Sequence, residues 1–207
     1  MNISKHLWDK NRDLAFASLN SKFVQGIKNG NLPKKNFQSY IAQDYFFLES
    51  FARAYGLAIS KCLEINAIRI LSELLLGVSE ELVLHEKYAE EWEINLNNNK
   101  IENSTRAYTD FLSKISLESS CIEILVAMSP CMRLYAWIGK NLSSSTKNNL
   151  YKNWIITYSD KNFEKLAKSL EEIIDTYQGS YDLDQLNYLY KKAMYLELKF
   201  FEAYSDF

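Results

Sequence analysis

Along most of the chain, apolar residues recur at three- and four-residue spacing, the period of an α-helix, and short polar clusters separate the runs. The pattern predicts a first helix from about Ser4 to Ile27, ended by Gly30, and a second from about Leu32 to Cys62, opened by Pro33. A third covers about Ile65 to Ile94. Beyond an Asn-rich connection from Leu96 to Asn103, Ser104 can cap a shorter helix reaching Ser116, and Ser119 or Ser120 can cap one running to Leu142. Two more fit Asn149 to Tyr158 and Asp160 to Tyr177, and the last opens on the capping-box arrangement Asp182-Leu-Asp-Gln185 and runs to about Tyr204. The remaining breaks are Asn29 to Asn31, Ser143 to Asn149 and Gln178 to Tyr181. About eight helices with short connections predict an all-α bundle. With no repeat, low-complexity tract or linker, a single domain over residues 1–207 is expected.

Composition narrows the function classes. Six Gly and two Pro leave too few turn residues for an all-β fold. The 24 Lys+Arg and 26 Asp+Glu give a net charge of -2, with no field for gripping a phosphate backbone, so no nucleic-acid partner is expected. The longest stretch without a charge, Ile124 to Met132, is too short to span a bilayer, and the first residues contain no apolar signal region. No membrane partner and a cytoplasmic location follow as expectations. Cys62, Cys121 and Cys131 are odd in number and contain no CxxC pair, which indicates neither a disulfide framework nor a zinc knuckle. Any function for them rests on a free thiol.

Ionisable residues on faces that should be buried carry more information. On the last helix Glu197 shares a stripe with Leu186, Tyr190, Met194, Phe201 and Tyr204, opposite Lys191, Lys192 and Lys199. On the second, Asp44 lies on the face of Phe37, Tyr40, Phe47, Phe51 and Tyr55, and on the third His85, with Glu81 one turn before it, shares a face with Leu74, Val78 and Trp92. A lone buried acid satisfied by a tyrosine or arginine would be structural. Burying several charges separately costs several kcal/mol each, so a shared polar pocket is the economical arrangement, and such pockets are usually functional. Cys131 follows Pro130, which interrupts its helix at the carbonyl of Val126, and Tyr135 stands one turn above the thiol. Cys131 is either a small core hydrophobe or a reactive thiol in that pocket. Two histidines, His6 and His85, do not make a histidine-rich metal centre, and isolated glycines form no phosphate cradle, so neither metal nor nucleotide cofactor is expected.

These residues carry a resemblance. Phe23-Val-Gln-Gly-Ile-Lys-Asn-Gly, Leu32-Pro, Phe37 to Tyr40 and Gln43-Asp44 with the aromatic run to Phe51-Ala-Arg53 resemble the opening of the TenA or thiaminase II family. The similarity continues through Glu81-Leu-Val-Leu-His-Glu86, Ala107-Tyr-Thr109, Pro130-Cys-Met-Arg-Leu-Tyr135, Trp154-Ile-Ile-Thr-Tyr158 and Glu197-Leu-Lys-Phe-Phe201, in order over essentially the whole chain. The resemblance implies a haem-oxygenase-like all-α fold without haem, a homotetramer, no cofactor, and hydrolysis of aminopyrimidines in thiamin salvage. It implies Cys131 as nucleophile, Glu197 as acid/base and Asp44 as the anchor for the pyrimidine's amino and ring nitrogens. Tyr108, Tyr135 and Tyr158 would line the pocket. Phe47 stands where the family often has Tyr, which keeps stacking and removes a hydroxyl, so substrate preference is the property it affects. Two other readings use the same residues: a non-catalytic binder of a pyrimidine or thiamin phosphate, which needs no reactive thiol, and an oxidase on the same scaffold, which the two histidines disfavour.

Overall fold

A computed structural model describes residues 2–94, 96 and 100–205, and among these there are ten α-helices and no strand. They are α1 (Ile3–Lys10), α2 (Arg12–Leu19), α3 (Lys22–Asn29), α4 (Lys34–Lys61), α5 (Ile65–Glu91), α6 (Asn103–Glu118), α7 (Cys121–Leu142), α8 (Lys152–Ser159), α9 (Lys161–Thr176) and α10 (Leu183–Ala203). The all-α expectation holds, with ten helices where about eight were expected. The difference lies at the N-terminus, where the single helix expected from Ser4 to Ile27 is three. Asn11 turns its side-chain amide back to the carbonyl of Leu7 (2.8 Å) and across to Asn187 (3.1 Å), and Ser21 caps α3 by accepting from Val24 N–H (3.3 Å). Asn and Ser side chains that satisfy backbone groups locally compete with the helical ladder, and the apolar period reads straight through such breaks.

Elsewhere the punctuation acts as expected. Gly30 ends α3 at φ 70, a left-handed conformation that costs a glycine nothing, and the N–H groups of Asn31 and Leu32 close onto the Gly26 carbonyl (3.0 and 3.1 Å). Ser120 and Glu123 form a reciprocal box at the start of α7, and Asp182 accepts from the N–H groups of Asp184 and Gln185 at the start of α10. Glu102 rather than Ser104 holds the N-cap position of α6. In the predicted Leu96 to Asn103 connection, residues 97–99 lie outside the described residues.

Helix α7 is central, packing against α4, α6, α8, α9 and α10. The stretch Cys121–Ser145, which is α7 with the 3-10 turn that follows it, is long and apolar enough to cross a membrane; an 18-residue window in it has a mean hydropathy of 1.4, and 78% of that window is buried inside the bundle. The apolar surface is therefore consumed by the core, at about 1.5–3 kcal/mol for each large aliphatic or aromatic side chain buried. Pro130 leaves the Val126 carbonyl without its helical donor, and the Ser129 hydroxyl donates to that oxygen instead (3.2 Å). The helix runs on past the proline. Arg133, one turn further, is half-buried and grips Glu164 (3.0 Å) and Glu171 (2.6 Å) of α9.

Candidate active site

Helices α4, α5, α7, α8 and α9 line a partly open cavity of about 200 Å³ whose lining includes Asp44, Phe47, Glu81, Cys131, Tyr135 and Tyr158. Asp44 and Phe47 sit one turn apart on the inner face of α4, and Cys131 and Tyr135 one turn apart on α7, as helical periodicity requires of side chains that share a wall.

Behind the thiol lies Glu197, 2% exposed, on α10. Its carboxylate accepts from the Tyr108 hydroxyl at 2.7 Å, and the Cys131 thiol lies near enough to affect its charge. Burial pushes this carboxyl up to about 8; the Tyr108 and Cys131 contacts pull it down, while the nearby Asp44 charge adds to the rise. The Cys131 thiol is itself driven well above the ordinary thiol range, by burial first and then by the negative field of Glu197, Asp44 and Glu81. A thiolate is therefore not the resting state.

The opposite side of the cavity carries a second polar chain. Asp44 is 4% exposed and its Oδ2 lies 2.9 Å from His85 Nε2, while His85 Nδ1 lies 3.1 Å from the main-chain carbonyl of Glu81. A carbonyl only accepts, so Nδ1 carries a hydrogen and a second proton must lie between Nε2 and Oδ2. Burial works against the imidazolium, but the hydrogen bond and charge of Asp44 outweigh it and raise the His85 pKa, which favours an imidazolium–carboxylate pair. One oxygen of Asp44 is thus occupied from behind, and the other remains for a ligand. Glu81 accepts from the Tyr158 hydroxyl at 3.2 Å, and burial raises it to about 7.

Aromatic rings complete the walls. Tyr135 meets Tyr158 edge-on at 4.7 Å, and Tyr158 meets Trp154 in the same manner at 4.7 Å. The Trp154 Nε1–H donates to the Tyr40 hydroxyl (3.3 Å), which donates to Tyr135 (3.2 Å), so the Tyr135 ring is fixed from behind. Phe47 lies against Tyr108 at 4.7 Å and nearly parallel to Phe51 at 5.4 Å. Tyr158 reaches the cavity because α8 rests directly on α7 at Gly139: a Cβ there would stand 2.3 Å from the carbonyl carbon of Tyr158.

Of the residues singled out in the sequence, Asp44, Phe47, Cys131, Tyr135 and Tyr158 line one cavity, and Glu197 and Tyr108 form the layer behind it, reached through the thiol and Phe47. Among the described residues, no group of three His, Cys, Asp or Glu side chains is arranged to hold a metal ion.

The family model described as TENA/THI-4/PQQC matches residues 8–206. The chain belongs to the TENA/THI-4/PQQC family. Among relatives of this TENA/THI-4/PQQC chain, the mitochondrial bifunctional TH2 protein of Arabidopsis thaliana is 34% identical over 226 residues, covering 95% of this chain and 36% of its own length. The chain thus spans about a third of that relative. The aminopyrimidine aminohydrolase of Halalkalibacterium halodurans is 30% identical over 182 residues, covering 84% of this chain and 81% of its own. A TenA homologue from P. horikoshii OT3 superposes with a TM-score of 0.91 at 25% identity, over 98% of both chains. Haem oxygenase-1 of Synechocystis sp. PCC6803 superposes at 0.65 with 15% identity, over 98% of this chain and 92% of its own, a likeness of fold alone that makes the bundle haem-oxygenase-like.

Three site residues of this family member carried no specific role in the sequence: His85, Glu81 and Tyr55. Periodicity put them on inward faces, but it cannot say which partner on another helix each one meets. Tyr55 is fully buried, lines the cavity, and its hydroxyl has no hydrogen-bond partner among the described residues.

Proposed function

We propose that this protein is an aminopyrimidine aminohydrolase of the thiaminase II type, which hydrolyses the C–N bond at the methylene of a 4-amino-5-aminomethylpyrimidine, or of thiamin, in thiamin salvage. The observation that carries the reading is a half-buried thiol set against a buried carboxyl raised to about 8, at an aromatic-walled cavity that Asp44 also lines. The aminohydrolase relatives support the reaction class.

In the proposed reaction the pyrimidine lies against Phe47 and Tyr135, and the free oxygen of Asp44 accepts from its amino group while His85 holds the other oxygen. The Cys131 sulfur bonds to the ring carbon beside the one that bears the methylene, and its proton passes to Glu197. The ring π electrons shift outward to form an exocyclic double bond, the methylene C–N bond breaks, and Glu197 hands its proton to the departing amine. Water then adds to the methylene, the ring π bond re-forms, and the C–S bond breaks with the water proton returning through Glu197 to sulfur. The sum is substrate plus water giving a hydroxymethylpyrimidine and the free amine. Tyr55, with its unpartnered hydroxyl, donates to the substrate; an orphaned buried hydroxyl is costly unless a ligand satisfies it. The resemblance also implies a homotetramer, which sedimentation would test, and the cytoplasmic location expected from the hydropathy pattern would be tested by fractionation.

The test is product release by the purified protein supplied with the aminomethylpyrimidine. Cys131→Ser and Glu197→Gln should each lower kcat at least a hundredfold, whereas Asp44→Asn and Tyr55→Phe should act mainly by raising KM. Wild-type turnover by Cys131→Ser would remove the nucleophile, and binding without turnover by the wild type would favour a binding protein.

A further inference from the structure

We propose that Cys62 and Cys121 form a redox-active dithiol that closes to a disulfide by exchange with a low-molecular-weight disulfide such as oxidised glutathione. Cys62 follows the last residue of α4, its N–H bonded to the carbonyls of Ala58 (3.0 Å) and Ile59 (3.3 Å), and Cys121 is the first residue of α7. Lys61 holds these two helix ends together. Its ammonium donates to the carbonyls of Ser116 (2.8 Å), Leu117 (2.9 Å) and Ser119 (2.7 Å), at the end of α6 and its junction with α7. Carbonyls at a helix C-terminus lack internal donors and attract a cation, so the lysine fastens α4 against the start of α7. With the backbones fixed, the Cys62 and Cys121 side chains turn into one cavity, near enough for Cys62 to raise the Cys121 thiol. Both line a separate cavity of about 500 Å³ shared with Glu64 and Tyr177, and Cys131 is not part of its lining.

The two sulfurs differ in access: Cys62 is half-buried, whereas Cys121 is 6% exposed and its thiol is pushed up by burial and by Cys62. This sets the order of events. Cys62 loses its proton and attacks one sulfur of the oxidised glutathione, forming a mixed disulfide and expelling one glutathione thiolate. Cys121 then gives up its proton and attacks the Cys62 sulfur, expelling the second. The protein gives two electrons and two protons, and one small disulfide becomes two thiols. The product joins the end of α4 to the start of α7, the helices that carry Asp44 and Cys131. The inference rests on this pair's geometry and is independent of the proposed hydrolase activity.

The experiment incubates the full chain with oxidised glutathione, blocks free thiols and digests it with trypsin and a glutamate-specific protease, which separates Cys62 (residues 62–64), Cys121 (119–123) and Cys131 (124–133). The expected product is a 62–64/119–123 cross-link that dithiothreitol reverses, with Tm raised by about 10 °C in the oxidised protein and unshifted in Cys62→Ser. Glutathione retained on Cys62, a cross-link that includes residues 124–133, or unmodified thiols at both positions would each overturn the proposal.

Discussion

In the proposed reaction Cys131 and Glu197 share one proton, and the order of their affinities decides when it moves. The thiol holds it more tightly than the carboxylate at rest, since burial and three neighbouring carboxylates oppose a thiolate while Glu197 titrates at about 8. The reactive form is then thiol plus ionised Glu197, a minority species at pH 7 that grows as pH rises. Accordingly kcat should climb with pH and level off with an apparent pKa of about 8, and Glu197→Gln should lose that inflection along with most of the rate. Stopped assays between pH 5.5 and 9.5 check this; a rate that falls between pH 7 and 8 would make protonated Glu197 the reactive form and reverse the assignment. The sequence displays Cys131, Glu197 and Asp44 because ionisable side chains on apolar stripes are anomalies that a single helix reveals. It does not display the His85–Asp44 pair, which needs the distance between two helices, nor Tyr55, which reads as one more core aromatic until its hydroxyl is found without a partner.

At the scale of helices, the site depends on two local devices in α7. Ser129 supplies the donor that Pro130 withholds from Val126, which keeps the helix continuous at the residue preceding the thiol. Gly139 removes the side chain that would hold α8 away and so sets how far Tyr158 reaches into the cavity. Gly139→Ala tests the second. Alanine gains about 1 kcal/mol of helix propensity but brings a methyl against the Tyr158 carbonyl, which is backbone and yields only if α8 moves. The expected result is a net loss of about 2 kcal/mol in urea unfolding, with the loss of turnover exceeding the loss of folded protein because Tyr158 is displaced. Equal stability would mean that α8 shifts freely and does not fix the wall. From α4 onward the boundaries were legible where caps such as Ser120 and Asp182 agree with the apolar period, and shifted by one to three residues where they do not, as at Glu102 and Lys152. The Asn11 and Asn20-Ser21 breaks were not, since three short helices packing one continuous face leave the period intact.

For the whole molecule, the same buried acids that suit the chemistry should make folding depend on pH. Glu81 and Glu197 have folded pKa values of about 7 and about 8 against ordinary values near 4.5, so between these limits the native state binds more protons than the unfolded chain. Stability then falls as pH rises, because ∂ΔG/∂pH follows protons bound in the unfolded state minus those bound in the native one. His85 acts in the same direction. Its pKa is raised, so its contribution is complete below its unfolded value of about 6.5 and is lost as pH climbs through the folded one. Glu197→Gln keeps an acceptor for Tyr108 and removes one of the three contributions, so its stability should equal or trail that of the wild type at pH 5 and exceed it at pH 9. The crossover is on the order of 4 kcal/mol if the site stays dry, and smaller to the extent that water enters. Urea midpoints of both proteins at half-unit intervals from pH 5 to 9 measure it. Parallel curves would mean that Glu197 is hydrated in the native state and titrates normally, which would also remove the poised carboxyl on which the proposed proton transfer from Cys131 depends.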